Sequence, residues 1–198
     1  MRPLRPAPSA LVALITLIWL PACDSGDVVE ADPCERGDVI VVGRCFLGLT
    51  ADSDSADVVA RLGPPDQYSR SADVPGLRYL SYDGRPDLGR GVVGLLRDAL
   101  FSVSAAGDFT VATTEGITRG TPLAEVRRLL GPPATGSGQT VGFDRYEFPD
   151  RSVSFRFTYG VVDGVRRVDS ISLLNAGPIP AASDPAPWPH ASHRPQGP

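Results

Sequence analysis

Residues 116–133 read GITRGTPLAEVRRLLGPP, and residues 48–65 read GLTADSDSADVVARLGPP. Laid together without a gap they share Gly48/Gly116, Thr50/Thr118, Ala56/Ala124, Val58/Val126, Leu62/Leu130, Gly63/Gly131, Pro64/Pro132 and Pro65/Pro133. Chance at this composition gives roughly one or two identities over such a window. Downstream, Arg78-Tyr79 with Asp83 matches Arg145-Tyr146 with Asp150, and Ser102-Val103-Ser104 matches Ser170-Ile171-Ser172. These matches predict a tandem duplication of one module.

Each copy spells a short helix with a stop. In the second, Thr121 is the expected N-cap with Pro122 at the first helical position. Leu123, Val126 and Leu130 form the apolar stripe, Gly131 is the expected left-handed C-cap, and Pro132-Pro133 forbids continuation. In the first copy Ser53 takes the cap place, with Val58, Val59 and Leu62 inward. Strands follow in each copy, near 77–83, 91–97 and 100–105 in the first. In the second, Ser152 to Tyr159 alternates, placing Val153, Phe155, Phe157 and Tyr159 on one sheet face and the polar residues on the other. Asp163-Gly164 marks a hairpin before Val165–Leu174. The expected fold class is α+β: two tandem modules, each a short helical element on its own antiparallel sheet of three to four strands.

Outside the modules the chain changes character. Arg2 and Arg5 precede the apolar run Ala10 to Leu20, the pattern of a secretory signal and too short to span a bilayer. Leu20-Pro21-Ala22-Cys23 then looks like a bacterial lipobox, with Cys23 as the acylated first residue of the mature chain. The expected organisation is a signal peptide (1–22), a lipidated Cys and acidic tether (23–37), a first module with an N-terminal disulfide hairpin (38–115), a second module (116–176) and a Pro-rich tail (177–198). Of the three cysteines, Cys34 and Cys45 remain for a structural disulfide in an oxidising compartment; two Cys without a nearby His are too few for zinc.

The 198 residues carry a net charge of −4, and every one of the 19 basic residues is Arg. Without Lys, a lysine Schiff base is excluded. The two His, His190 and His193, sit in the tail, so neither module contains a His base or ligand. No basic cluster suits nucleic acid. Asp52, Asp54 and Asp57 lack the Gly and distal Glu of a calcium loop and read as helix-start acids. Glu115, Glu125, Glu147 and Asp150 are the only material for a carboxylate-based wall hydrolase. The expectation is a non-enzymatic protein with no catalytic residue, no metal site, no small-molecule substrate and no cofactor beyond the lipid (palmitate) on Cys23. Tyr79, Tyr146, Phe155 and Tyr159 are the candidate partner surface, since aromatics dominate interface energetics when exposed.

The run Gly120, Thr121, Val126, Leu130, Gly131, Pro133, echoed in the first copy by Gly63 and Pro65, resembles the module signature of the SmpA/OmlA (BamE-like) family. A duplicated helix-on-sheet module is also the architecture of β-lactamase inhibitor protein. In the first copy Asp52 and Ser53 replace the Gly-Thr of the signature. The signal and lipobox imply an exported, lipid-anchored protein, expected at the inner or the outer membrane of a Gram-negative envelope, periplasm-facing or surface-exposed. The resemblance implies the helix-on-sheet fold and a binding or scaffold role toward envelope proteins, with outer-membrane assembly as one setting. The alternative is an inhibitor that blocks an enzyme by surface occlusion.

Overall fold

The computed structural model describes residues 31–136 and 142–177. In chain order it contains α1 (Pro33–Arg36), β1 (Ile40–Val41), β2 (Cys45–Phe46), α2 (Ser55–Leu62), β3 (Gln67–Arg70), β4 (Leu77–Arg85), β5 (Gly89–Leu96) and β6 (Ala99–Ala106). Then come α3 (Leu123–Leu130), β7 (Thr135–Gly136), β8 (Gly142–Phe148), a 3-10 turn (Pro149–Arg151), β9 (Val153–Val162) and β10 (Val165–Asn175). Cys23, the signal peptide, most of the acidic tether and the tail with His190 and His193 lie outside the described residues.

The architecture corrects the expected fold class. There are not two α+β modules with separate sheets but one eight-stranded antiparallel sheet, ordered β3-β4-β5-β6-β10-β9-β8-β7, beside a two-stranded β1-β2 hairpin. The described chain is mostly strand, with only three short α-helices. The join is β6 against β10, where Ser102 to Ala106 pairs antiparallel with Leu174 to Ser170. A module with a free β6 or β10 would expose a row of unpaired N–H and C=O groups; pairing the two edges satisfies them. The remaining edges are short: four residues in β3 and two in β7.

Contacts also run across positions 37/38 and 115/116. Residues 31–37 belong to the folded unit, since Asp32 caps α1 and accepts from Cys34 N–H at 2.9 Å. Ile40 donates to Ala112 O at 3.0 Å and accepts from Thr114 N–H at 2.9 Å, and Arg151 Nη1 donates to Gly43 O at 3.1 Å. The N-terminal hairpin therefore grips both the connector between the halves and the 3-10 turn of the second half. The Cys34–Cys45 disulfide, at an S–S distance of 2.04 Å, closes this segment.

One hydrophobic core lies on one sheet face. A row of directly opposed residues runs Leu80–Val93–Val103–Leu173–Phe155–Tyr146, all buried. Val58 and Leu62 of α2, Val126 of α3, and Ile40, Phe46, Leu49 and Ile117 cover the same cluster. The alternation of Val153, Phe155, Phe157 and Tyr159 predicts their shared burial.

The helix ends depart from expectation in detail. Thr121 does not cap α3: Pro122 occupies the N-cap without a side-chain bond, while Thr121 Oγ1 accepts from Thr118 N–H at 3.1 Å. Ser53 Oγ accepts from Thr50 N–H at 3.0 Å in the same way. Both hydroxyls fasten the turn before the helix. Asp54 caps α2, in a reciprocal capping box with Asp57, which accounts for two of the three clustered aspartates. Gly63 (φ 78, ψ −174) and Gly131 (φ 80, ψ −167) are not left-handed helical but extended at positive φ, a region only glycine occupies freely.

Candidate functional site

Because antiparallel partners share a face, the register maps the side of the sheet opposite the core. Its central row crosses all eight strands: Gln67–Ser81–Val92–Ser104–Ser172–Arg156–Arg145–Thr135. A flanking row runs Ser69–Tyr79–Gly94–Ser102–Leu174–Ser154–Glu147. Helices α2 and α3 bury their apolar stripes on the other side, so this open face carries no helix. Eight strands about 4.8 Å apart make it roughly 34 Å across.

The face is polar at its centre and aromatic on both flanks. Ser104 and Ser172 oppose one another at the join. On one flank Gly94 makes room: a Cβ there would stand 2.7 Å from Ser102 Oγ, with the Phe101 and Tyr79 rings at 3.5 and 3.6 Å. Phe101 is 36% exposed, an outward aromatic at a register shift in β6. On the other flank the Arg156 guanidinium lies over the Phe143 ring, 5.1 Å from its centroid. Arg145, directly opposite Arg156, donates to Ser154 Oγ at 3.2 Å and stands 3.4 Å from Glu147.

Of the aromatic residues expected to form a partner surface, only Tyr79 reaches this face. Tyr146 (6% exposed), Phe155 (0%) and Tyr159 (7%) point into the core. The reason is parity. The Arg-Tyr match pairs Tyr79 with Tyr146, but the structural counterpart of Tyr146 is Tyr82: Tyr146 Oη donates to Gly131 O at 3.2 Å and Tyr82 Oη to Gly63 O at 3.3 Å. An odd displacement along a strand exchanges faces. The motif residues Gly63, Val126, Leu130 and Gly131 hold the helices and their ends, and none of them lies on the open face. The residues that sequence reasoning missed are Arg145, Arg156, Phe143 and Phe101. The polar half of the Ser152–Tyr159 alternation was the available signal for Arg156.

The core below the second half holds one polar group of its own. Asp144, 1% exposed, accepts from Arg127 Nε and Nη2, both at 2.8 Å, and from Tyr159 Oη at 3.2 Å. Pairing along the strands equates these three with Val59, Leu80 and Leu95 of the first half. The bond to Asp144 holds the Arg127 guanidinium in its charged form. Burial pushes the Tyr82 and Tyr146 phenols up to about 12, and burial with the Asp144 charge pushes Tyr159 further. An unfolded tyrosine ionises near 10.0, so the folded state retains these protons longer. Their contribution to stability is complete below pH 10 and is lost as pH rises through about 12. Alkaline unfolding followed by circular dichroism is expected to begin only above that lower limit; loss of structure by about pH 9 contradicts it.

A second exposed feature is the β9–β10 hairpin. Val161, Val162 and Val165 are 69%, 51% and 41% exposed at its tip, and Asp163 and Gly164 both take positive φ, the signature of a tight two-residue turn. An open cleft of about 620 Å³ at its base is lined by Phe109, Thr118, Gly120, Val162 and Val168 among others.

No family model matches the chain, and no curated protein matches it. Among solved structures it is similar to a cysteine-rich secretory protein from Staphylococcus aureus, with a TM-score of 0.50 and 14% identity over 70% of this chain and 50% of that one. An extracellular protein containing an SCP domain from Bacillus anthracis also matches, with a TM-score of 0.43 and 11% identity over 64% and 47%. The chain thus spans about half the length of these proteins, and the first likeness concerns the fold alone. These findings overturn the SmpA/OmlA resemblance: the structural likeness falls on a different group, and no family signature supports the first. The Cys34–Cys45 disulfide is consistent with export.

Proposed function

We propose that this chain is an envelope lipoprotein, held at a membrane by a lipid on Cys23, whose sheet binds another protein without chemistry of its own. The observation that carries the reading is the continuous open face. With a third row, Gly89–Ala106–Ser170–Thr158–Phe143, it measures about 34 Å by 20 Å and offers roughly 700 Å², close to one partner's share of a standard interface. Its aromatic flanks and arginines are the residue types that anchor interfaces.

The test is photo-crosslinking. Benzoylphenylalanine replaces Ser104 or Ser172 in the full chain, in its own membrane. Discrete protein adducts are expected from both, and none from Ala124, which is exposed on α3. Silence at both serines would sink the docking reading. A second reading, occlusion of an enzyme, is favoured by the valine-tipped hairpin. It requires adducts from Val162 instead, with a captured enzyme that loses activity on binding.

A further inference from the structure

We propose that the partner presents an acidic segment, with a carboxylate seated between Arg156 and Arg145. This deepens the docking reading and rests on it. Two guanidinium groups directly opposite on one sheet face repel each other. Arg78, Arg85, Arg127 and Arg128 each face a carboxylate at 2.5–2.8 Å. Arg145 reaches Glu147 only at 3.4 Å. Arg156 has no acidic partner among the described residues, and its Nε is buried without an acceptor.

The fold does not require this charge. The positions that correspond to Arg156 and Arg145 across the Ser104–Ser172 join are Val92 and Ser81, and the sheet pairs equally well through them. What the arginines add is a donor set fixed in place. Phe143 holds the Arg156 plane, so little side-chain freedom is lost when a carboxylate takes its terminal Nη N–H groups. Ser172, directly opposite Arg156, adds a hydroxyl donor. A protein carboxylate suits the site better than an anionic membrane. The pair lies on β8 and β9, inside the sheet rather than at its rim, where a protruding protein segment reaches it more readily than a flat bilayer surface.

The experiment measures fluorescence polarisation of a labelled peptide rich in Asp and Glu against the full chain extracted from its membrane. Its amide counterpart, with Asn and Gln, and phosphatidylglycerol vesicles serve as the other probes. The acidic peptide is expected to bind, more weakly as salt rises. Arg156→Val and Arg145→Ser, which install the first half's residues to keep the fold, are each expected to weaken it about tenfold or more. Arg119→Gln, removed from the face, leaves binding unchanged. Circular dichroism checks that each variant is folded. Equal binding of the acidic and amide peptides, or vesicle binding that depends on Arg156 while peptide binding does not, overturns the proposal. A Ser104 photo-adduct that forms equally well in Arg156→Val overturns the acidic assignment while leaving the docking face standing. Peptide binding that depends on Arg156 with no adduct from Ser104 or Ser172 in the membrane overturns the docking reading and, with it, the assignment of this site to a docked partner.

Discussion

Asp144→Ala is expected to lower the unfolding free energy by about 3 kcal/mol and the melting temperature by roughly 6–12 °C. Removing one member of a buried ion pair leaves the other without compensation, which costs about 3–5 kcal/mol when both are fully enclosed. Here the Arg127 side chain is 45% exposed against 2% for Asp144, so water recovers part of the loss and the lower value is expected. The buried Tyr159 hydroxyl loses its acceptor as well. The informative control is the triple change Arg127→Val, Asp144→Leu, Tyr159→Leu, which installs the apolar set found at Val59, Leu80 and Leu95. It should lie within about 1 kcal/mol of the parent or above it, because buried pairs are often replaced by packed apolar groups without cost. Urea unfolding monitored by circular dichroism measures both. An Asp144→Ala variant within about 1 kcal/mol of the parent would show that the triad is not a structural clamp.

Cys34→Ser with Cys45→Ser carries the second large effect, about 3 kcal/mol on the chain-entropy account of a short closed loop. The sequence separation is 11 residues, and what the loop holds is not peripheral. Cys45 and Phe46 are fully buried, and Ile40 is as well, with its backbone bonded to the connector at Ala112 and Thr114. Loosening this hairpin therefore weakens the contact between the halves as well as its own two strands. Reduction of the parent should reproduce the double variant's melting temperature. Equal stability of the oxidised and reduced chains would mean that the packing of Ile40 and Phe46 alone fastens the segment.

The proposed docking surface and the residues behind these stability effects lie on different sides of the same sheet. Arg156 and Asp144 occupy neighbouring strands but opposite faces, as their register shows. The open-face substitutions are therefore expected to change binding with little effect on folding, and the core substitutions the reverse.

Local patterns in the sequence were enough for the helices at 55–62 and 123–130, the hairpin at Asp163-Gly164, the disulfide pair and the buried alternation of Val153 to Tyr159. The disulfide follows from the cysteine count and an oxidising compartment, and the others depend on interactions within a few residues or on strand periodicity, all written directly in the chain. The sequence could not show that β6 and β10 would join the halves into one sheet. Edge pairing is a contact between distant segments, and a module with a free edge reads the same as one with a paired edge. Nor could it assign faces in β4, where a match three residues out of place set Tyr79 beside Tyr146 although Tyr82 makes the equivalent bond. With a side-chain period of two, one odd slip turns a core aromatic into a surface one. The proposed docking face was decided in the same way, by tertiary register: Arg145 and Arg156 lie eleven positions apart in the chain, and only the β8–β9 pairing sets them opposite each other.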